Sequence, residues 1–194
     1  MRFFLLLTVM GCSGAVKPED TAVTDPFSES NEGEDTADSS DTTEPLDSSD
    51  PVSTAVVINE ILSDSDTTSD WLELYNSGSE AIELSGYGLA DALDDEPSAL
   101  PADTIIPAGG YLIVWADDGA GSEAGPHVNF KLSKEGETVY FFDPAGVLLD
   151  EVSFPMIDED GDGAADPDKS WGRVPDGHSE WAVLSPPTPE TTND

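Results

Sequence analysis

The sequence predicts an all-β fold, an antiparallel β-sandwich preceded by a disordered acidic linker. From residue 54 onward, short runs rich in β-branched and aromatic residues alternate with Gly, Pro, Asn and Asp. Nothing longer than about ten residues has a helical period. The chain has 194 residues, 37% of them hydrophobic, which suffices for one modest core. One globular domain is therefore expected.

The charge of the chain is strongly one-sided. Six Lys and Arg stand against 42 Asp and Glu, for a formal net charge of −36. Nucleic acid would be repelled before contact, so no direct nucleic-acid partner is expected. The single cysteine, Cys12, excludes an intramolecular disulfide and any zinc site built from several cysteines.

The N-terminus has the pattern of an export signal over residues 1–11. Arg2 precedes an apolar run at residues 3–10, which is too short to span a bilayer as a helix. The four residues that end at Cys12 resemble the lipobox of bacterial lipoproteins. That resemblance implies lipidation of Cys12, a lipid anchor as the only contact with the membrane, and an exported lipoprotein of the outer membrane or cell surface. An ordinary signal peptide with an incidental cysteine is the alternative.

Residues 12–53 form a separate segment with a different composition. Between residues 13 and 53 there are twelve Asp or Glu, four Pro and one aromatic residue, Phe27. Such a segment cannot bury enough apolar area to offset its ordering entropy. We expect a disordered, self-repelling tether that holds the following domain away from a surface.

The domain after the tether is predicted to be built from hairpins. In the run at residues 71–75, Leu72 and Leu74 share one face and Trp71, Glu73 and Tyr75 share the other. Turn sequences containing glycine separate the runs. The strand-like runs are AVVINEIL, WLELYN, AIELSGYGLA, TIIPAGGYLIVWA, HVNFKLS, ETVYFFDPAGVLLDEVSF, SWGRV and WAVL.

Several of these stretches resemble one known family. They are INEI at 58–61, DWLELYN at 70–76, LSGYGLAD at 84–91, IPAGGYLIVWAD at 106–117, NFKL at 129–132, DPAG at 143–146, SWGR at 170–173 and Thr188-Pro189. In this order they resemble the lamin tail domain, an immunoglobulin-like β-sandwich. The resemblance implies such a sandwich over residues 54–190, with 191–194 as a tail, and implies no reaction.

The resemblance also implies that its motif residues are chiefly structural. Asn59 and Glu60 are predicted to lie at a sheet edge and to pair with backbone or with Arg173. A catalytic pair of Glu60 and Glu73 is the alternative. The four tryptophans are expected to fill the core or cap its ends. The structural motif residues are Asn59, Glu60, Trp71, Glu73, Asn76, Gly86, Trp171 and Arg173.

Signatures of catalysis are missing from the sequence. There is no G-x-S-x-G, no H-E-x-x-H and no phosphate-binding glycine loop followed by Lys. The two histidines, His127 and His178, are expected at exposed or edge positions. The sequence therefore predicts a protein that is not an enzyme.

An acidic loop follows the longest strand-like run. Three aspartates alternate and precede Gly163, which is the pattern of an EF-hand-like calcium loop. Lys169 stands at the twelfth position, where an EF-hand has Glu, so the closer resemblance is to the acidic calcium repeats of thrombospondin type 3. We expect weak, structural Ca²⁺ binding, roughly 10⁻⁴ to 10⁻³ M; a solvated loop without metal is the alternative. The expected ligands are Asp158, Asp160, Asp162, Ala164, Asp166 and Asp168.

These observations predict a surface-tethered binding, adhesion or scaffold module of the cell envelope, with a protein or glycan partner. Residues 54–194 carry four basic and thirty acidic side chains, a net charge of −26. Two alternatives remain besides an enzyme. Lamin tail domains of bacteria are often joined to exported nucleases or other hydrolases, which implies an accessory role. The acidity is also consistent with adaptation to high salt.

Overall fold

The computed structural model describes residues 55–194, which form twelve β-strands. No helix in this range is long and apolar enough to cross a membrane. The predicted signal, Cys12 and the tether at 12–53 lie outside the described residues. The strands are β1 (Val56–Leu62), β2 (Trp71–Asn76), β3 (Ile82–Glu83), β4 (Gly88–Ala90), β5 (Ser98–Ala99), β6 (Ile105–Ile106), β7 (Tyr111–Ala116), β8 (His127–Val128), β9 (Gly136–Phe142), β10 (Leu148–Pro155), β11 (Ser170–Arg173) and β12 (Trp181–Leu184).

The strands form two main sheets and one short ribbon. The larger sheet has the order β12-β11-β1-β2-β7-β8, the smaller has the order β10-β9-β4-β5, and β3 pairs with β6. Neighbouring strands are antiparallel except β7 and β8, which are parallel. The loop at 117–126 returns the chain to the same end of the sheet, so β8 runs in the direction of β7. The all-β prediction is confirmed, with this one parallel pair as an exception to the antiparallel pattern.

The hydrophobic core lies between the two main sheets. Leu72 and Leu74 are completely buried in it, as the alternation in β2 predicts. Val139 and Phe141 of the smaller sheet are also completely buried in the same cluster. Each sheet therefore contributes its inward-facing positions to one core.

A β-bulge at Asn59 shapes the central strand of the larger sheet. The register of β1 against β2 shifts between Ile58 and Glu60. The backbone groups of Ile58 find partners in side chains. The Ile58 N–H donates to Asp150 Oδ2 at 2.9 Å, and its carbonyl accepts from Arg173 Nε at 2.8 Å. Because Asp150 belongs to β10, the bulge links the two sheets.

The predicted sheet-edge position of Asn59 and Glu60 is wrong, and of their two predicted partners the backbone is the one that the structure shows. Both residues lie in β1, which has β11 on one side and β2 on the other, so they are not at a sheet edge. Arg173 pairs with Asp150 at 3.2 Å and not with Glu60. The cause is the pairing of the distant strands β11 and β12 beside β1, which sequence order does not reveal.

The C-terminal segment after β12 packs on the outer face of the larger sheet. Asn193, in the stretch that sequence analysis treats as a tail, is completely buried. Its Nδ2 donates to the carbonyl of Arg173 at 3.0 Å. Gly172 lies directly beneath, where a β-carbon would stand 2.9 Å from Asn193 Nδ2 and overlap the end of Leu184. The segment is thus part of the folded domain.

Replacing Gly172 with alanine is expected to destabilise the domain by roughly 1 to 3 kcal/mol, because the added methyl group overpacks a closed contact. Urea unfolding of the two full chains measures the difference. An unchanged midpoint would show that the C-terminal segment does not press on β11 in solution.

Candidate functional site

Two glutamates face each other on the outer side of the larger sheet. Glu60 of β1 and Glu73 of β2 are directly opposed in the strand pairing. Both side chains are completely buried, because the C-terminal segment covers them. Two carboxylates in such a position require many hydrogen-bond donors.

The donors to Glu60 come from β11 and the C-terminal segment. The Ser170 hydroxyl donates to Glu60 Oε1 at 2.5 Å, and the Thr188 N–H donates to the same oxygen at 2.9 Å. The Thr188 hydroxyl lies 2.9 Å from Glu60 Oε2 and 2.6 Å from Asn193 Oδ1. Glu60 therefore binds residues more than a hundred positions away in the chain.

Glu73 has fewer donors than Glu60. Asn59 Nδ2 lies 3.2 Å from Glu73 Oε1, and the Glu190 N–H donates to Oε2 at 2.6 Å. Burial raises the pKa of Glu73 to about 7, and the charges of Glu60 and Asp176 add to that rise. At neutral pH this side chain holds its proton much more strongly than an exposed glutamate does.

A third carboxylate, Asp176, completes the cluster. Its Oδ1 accepts from Asn59 Nδ2 at 2.8 Å and from the Asn193 N–H at 3.2 Å. Its Oδ2 accepts from the Tyr111 hydroxyl at 2.7 Å. Burial, together with this hydrogen bond, raises the pKa of Tyr111 to about 12. Asn59 Oδ1 in turn accepts the Gly177 N–H at 2.9 Å, so the bulged residue joins two acidic groups and a turn.

We define the carboxylate cluster as Glu60, Glu73 and Asp176 with the polar residues that bind them. The sequence motifs contain Asn59, Glu60 and Glu73, whereas nothing in the sequence pointed to Asp176 and Asn193. Thr188 was noted only as part of the family resemblance. No local pattern distinguishes these residues, since each lies over a hundred positions from Glu60 and Glu73 and contacts them directly or through other members of the cluster.

The carboxylate cluster is suited to holding the C-terminal segment on the larger sheet through hydrogen bonds. Every carboxylate oxygen of Glu60 and Glu73 accepts a hydrogen bond. Neither side chain is exposed. A substrate would have to displace the C-terminal segment to reach the pair.

The remaining motif residues occupy structural positions. Trp71 is buried, and Asn76 Nδ2 donates to the Glu80 carbonyl at 2.8 Å, which closes the turn after β2. Gly86 has a φ of 76°, a conformation that glycine adopts without strain. Trp171 stacks on Trp181 with ring centroids 6.3 Å apart.

Arg173 joins several of these elements. Its guanidinium carbon lies 4.6 Å from the centre of the Trp181 ring, and Nη1 donates to the His178 carbonyl at 2.6 Å. Together with its bonds to Ile58 and Asp150, this places every guanidinium nitrogen in a contact. A planar guanidinium can satisfy such a set, and a lysine ammonium cannot.

The acidic loop brings three of its predicted ligands together. Oxygens of Asp158, Asp160 and Asp162 lie within 4.8 Å of one another, close enough to share one cation. Asp158 also accepts the N–H groups of Gly161 at 2.7 Å and Gly163 at 3.0 Å. Both glycines have positive φ, which allows the chain to wrap around the carboxylates.

Two of the other predicted ligands, Asp166 and Asp168, bind groups of the protein instead. Asp166 forms an ion pair with Lys169 at 2.9 Å, and that contact lowers the pKa of Asp166. Asp168 accepts the Ser65 hydroxyl at 2.5 Å. Ala164 donates its N–H to Asp162 at 2.8 Å. Lys169, with its second ion pair to Glu159 at 2.6 Å, supplies the loop's own positive charge.

The architecture and the placement of the motif residues define an immunoglobulin-like β-sandwich module. The sequence profile of the Lamin Tail Domain family matches residues 49–155. The chain therefore belongs to the lamin tail domain family, as the resemblance implied. A search of curated proteins found no match. The profile match ends with β10, so the acidic loop, β11, β12 and the C-terminal segment lie beyond it.

Replacing Glu73 with glutamine is expected to change how stability depends on pH. The unfolded chain loses the Glu73 proton near pH 4.5 and the folded chain loses it near pH 7. Glu73 thus lowers the stability of the wild type as pH rises through this window, by on the order of 3 kcal/mol. Urea unfolding at intervals from pH 4 to pH 8 measures the difference between the two chains.

Glu135→Gln, at an exposed position, is the matched control and should leave the pH dependence of the wild type unchanged. If Glu73→Gln and the wild type lost stability in parallel from pH 4.5 to 7, the raised pKa of Glu73 would be ruled out.

Proposed function

We propose that this chain is a non-enzymatic binding or scaffold module of the cell envelope. In this proposal lipid on Cys12 anchors it to the outer membrane or cell surface, and the acidic tether at 12–53 spaces the sandwich from that surface. The partner is a protein or glycan outside the cell, and nucleic acid is excluded by charge. A weak calcium site in the acidic loop stiffens the module.

The main support for this proposal is the burial of two opposed carboxylates that belong to the family motifs. Glu60 and Glu73 are buried beneath the C-terminal segment and have their oxygens occupied. General acid-base catalysis needs a group within hydrogen-bonding reach of a substrate. The C-terminal segment closes this pair off from a substrate, which supports a module that is not an enzyme.

The calcium part of the proposal is supported by three clustered carboxylates in a glycine-containing loop. A calcium ion takes six to eight oxygens, and water would supply those that the three aspartates do not. Their mutual repulsion is reduced when a cation binds. Lys169 pairs with both Asp166 and Glu159 and offsets one of their two negative charges, whereas none of the three aspartates has an ion pair within residues 55–194.

Calcium is expected to raise the melting temperature of the full chain by several degrees. With a dissociation constant of roughly 10⁻⁴ to 10⁻³ M, 10 mM Ca²⁺ contributes about 1 to 3 kcal/mol. Asp160→Ala combined with Asp162→Ala should remove most of that gain. Differential scanning calorimetry against sodium and magnesium chloride at equal ionic strength measures it.

The matched control is Asp94→Ala with Asp95→Ala, which removes two charges from another exposed acidic loop. It should retain the calcium response. An equal response to all three salts would instead identify charge screening, as adaptation to high salt predicts, and would refute a calcium loop.

Anchoring at Cys12 predicts that the wild-type chain co-sediments with envelope membranes and that Cys12→Ala releases it. Fractionation of cells that produce each variant, together with fatty-acid labelling, makes the comparison. Release of both variants alike would contradict the lipid anchor. Stoichiometric isolation of the anchored chain with an exported nuclease or other hydrolase would favour the accessory role over an independent module.

A further inference from the structure

One histidine joins the two ends of the loop at 117–126. This loop connects β7 to β8, and β8 is the edge strand of the larger sheet. His127, the first residue of β8, has its Nδ1 2.7 Å from Asp117 Oδ2 and its Nε2 2.9 Å from the Glu123 carbonyl oxygen. Asp117 begins the loop and Glu123 lies close to its end. The imidazole ring therefore bridges the loop from one end to the other.

Both contacts of His127 are made at once only when the ring is protonated. A carbonyl oxygen and an ionised carboxylate can only accept hydrogen bonds, whereas a neutral imidazole has one N–H and one lone pair. The imidazolium ion has two N–H groups and can donate to both acceptors. The hydrogen bond to the Glu123 carbonyl, followed by the one to Asp117, raises the pKa of His127 above its ordinary value of 6.5.

Asp117 depends on the charge of this ring. Only 6% of its side chain is exposed, and within residues 55–194 His127 is its only ion-pair partner. In the same range, Asp117 Oδ1 is the only buried side-chain polar atom without a hydrogen bond. A buried carboxylate that loses its one cation is strongly disfavoured, so Asp117 favours the protonated ring. A β-carbon on Gly121 would overlap Asp117 Oδ2, so the loop lies directly against this ion pair.

The charged groups that face His127 are Asp117 and Glu123. Backbone N–H groups that bind the Glu123 carboxylate lower its pKa, so Glu123 stays ionised while the histidine titrates. Two other charged residues lie near the end of β7. Burial raises the pKa of Asp70 to about 6, and Lys131 interacts with Asp70. Neither residue forms an ion pair with His127 in the part of the chain that the structure describes.

We propose that His127 is a pH-dependent switch that holds the 117–126 loop closed while it is protonated and frees the loop at Glu123 when it loses its proton. The proton that remains on the neutral ring stays on Nδ1, because the Asp117 carboxylate is a stronger acceptor than a carbonyl oxygen. Nε2 then presents a lone pair to the Glu123 carbonyl, and that contact is lost. Asp117 stays bound, so the loop opens at one end only.

The switch closes on the acidic side of its transition and opens on the alkaline side. The contribution of His127 to stability is fully present below its ordinary pKa and is lost as pH rises through the raised pKa of the folded chain. The backbone contacts of β8 do not titrate. The Trp115 N–H donates to the Pro126 carbonyl at 2.9 Å, and the Gly119 N–H donates to the Val128 carbonyl at 2.8 Å. The opening is therefore local, and β8 remains in the sheet.

The test is an NMR titration of the full chain from about pH 5 to about pH 9, the range in which histidines titrate. The His127 ring signals should have a midpoint above 6.5, and the nitrogen shifts should place the proton of the neutral ring on Nδ1. Trp115 Nε1 donates to the carbonyl of Ala124, next to Glu123, at 3.1 Å. Its indole N–H signal should shift with the same midpoint. The indole signals that serve as internal controls, and should show no such step, are those of Trp71, Trp171 and Trp181.

Two variants and one matched control complete the test. Asp117→Asn should lower the His127 midpoint, whereas Asp118→Asn, which removes the same charge at an exposed neighbouring position, should leave it close to that of the wild type. His127→Gln should abolish the step in the Trp115 indole signal. A wild-type His127 midpoint at or below 6.5, no Trp115 step, or a Trp115 step that persists in His127→Gln would each overturn the proposal. If Asp117→Asn fails to fold, the wild type and His127→Gln decide the outcome.

Discussion

The structure depends on two buried glutamates that face each other across neighbouring strands. Glu60 and Glu73 would repel each other and lose hydration if they stood alone in the sheet. Donors from β11, the bulge and the C-terminal segment compensate for that loss. The C-terminal segment after β12 thus both buries these carboxylates and supplies donors to them.

The same interaction connects the first strand of the domain to the segments at its C-terminal end. β1 is flanked by β2, which follows it in sequence, and by β11, which lies more than a hundred residues later. The bulge at Asn59 turns the backbone groups of Ile58 toward Asp150 and Arg173, which join the two sheets. A family profile that ends at residue 155 thus covers only part of the folded unit.

Buried and exposed acidic groups have different roles in this protein. The buried Glu60 and Glu73 accept hydrogen bonds from specific donors in distant segments. The exposed ones carry most of the net charge and cluster in loops, where Asp158, Asp160 and Asp162 converge. The proposed calcium site belongs to the second group.

The sequence by itself determined the fold class, the family and the inward-facing positions of β2. Period-two alternation and glycine-containing turns are local patterns, and Leu72 and Leu74 could be assigned to the core from them alone. It also located the alternating aspartates of the acidic loop. Only the tertiary structure decided that Glu60 lies in the interior of a sheet, that Arg173 pairs with Asp150, and that Asn193 is buried. It also showed that Asp117 has an unpaired oxygen. These features arise from contacts between residues far apart in the chain, and no periodicity in one sequence encodes which distant strand will pair with which.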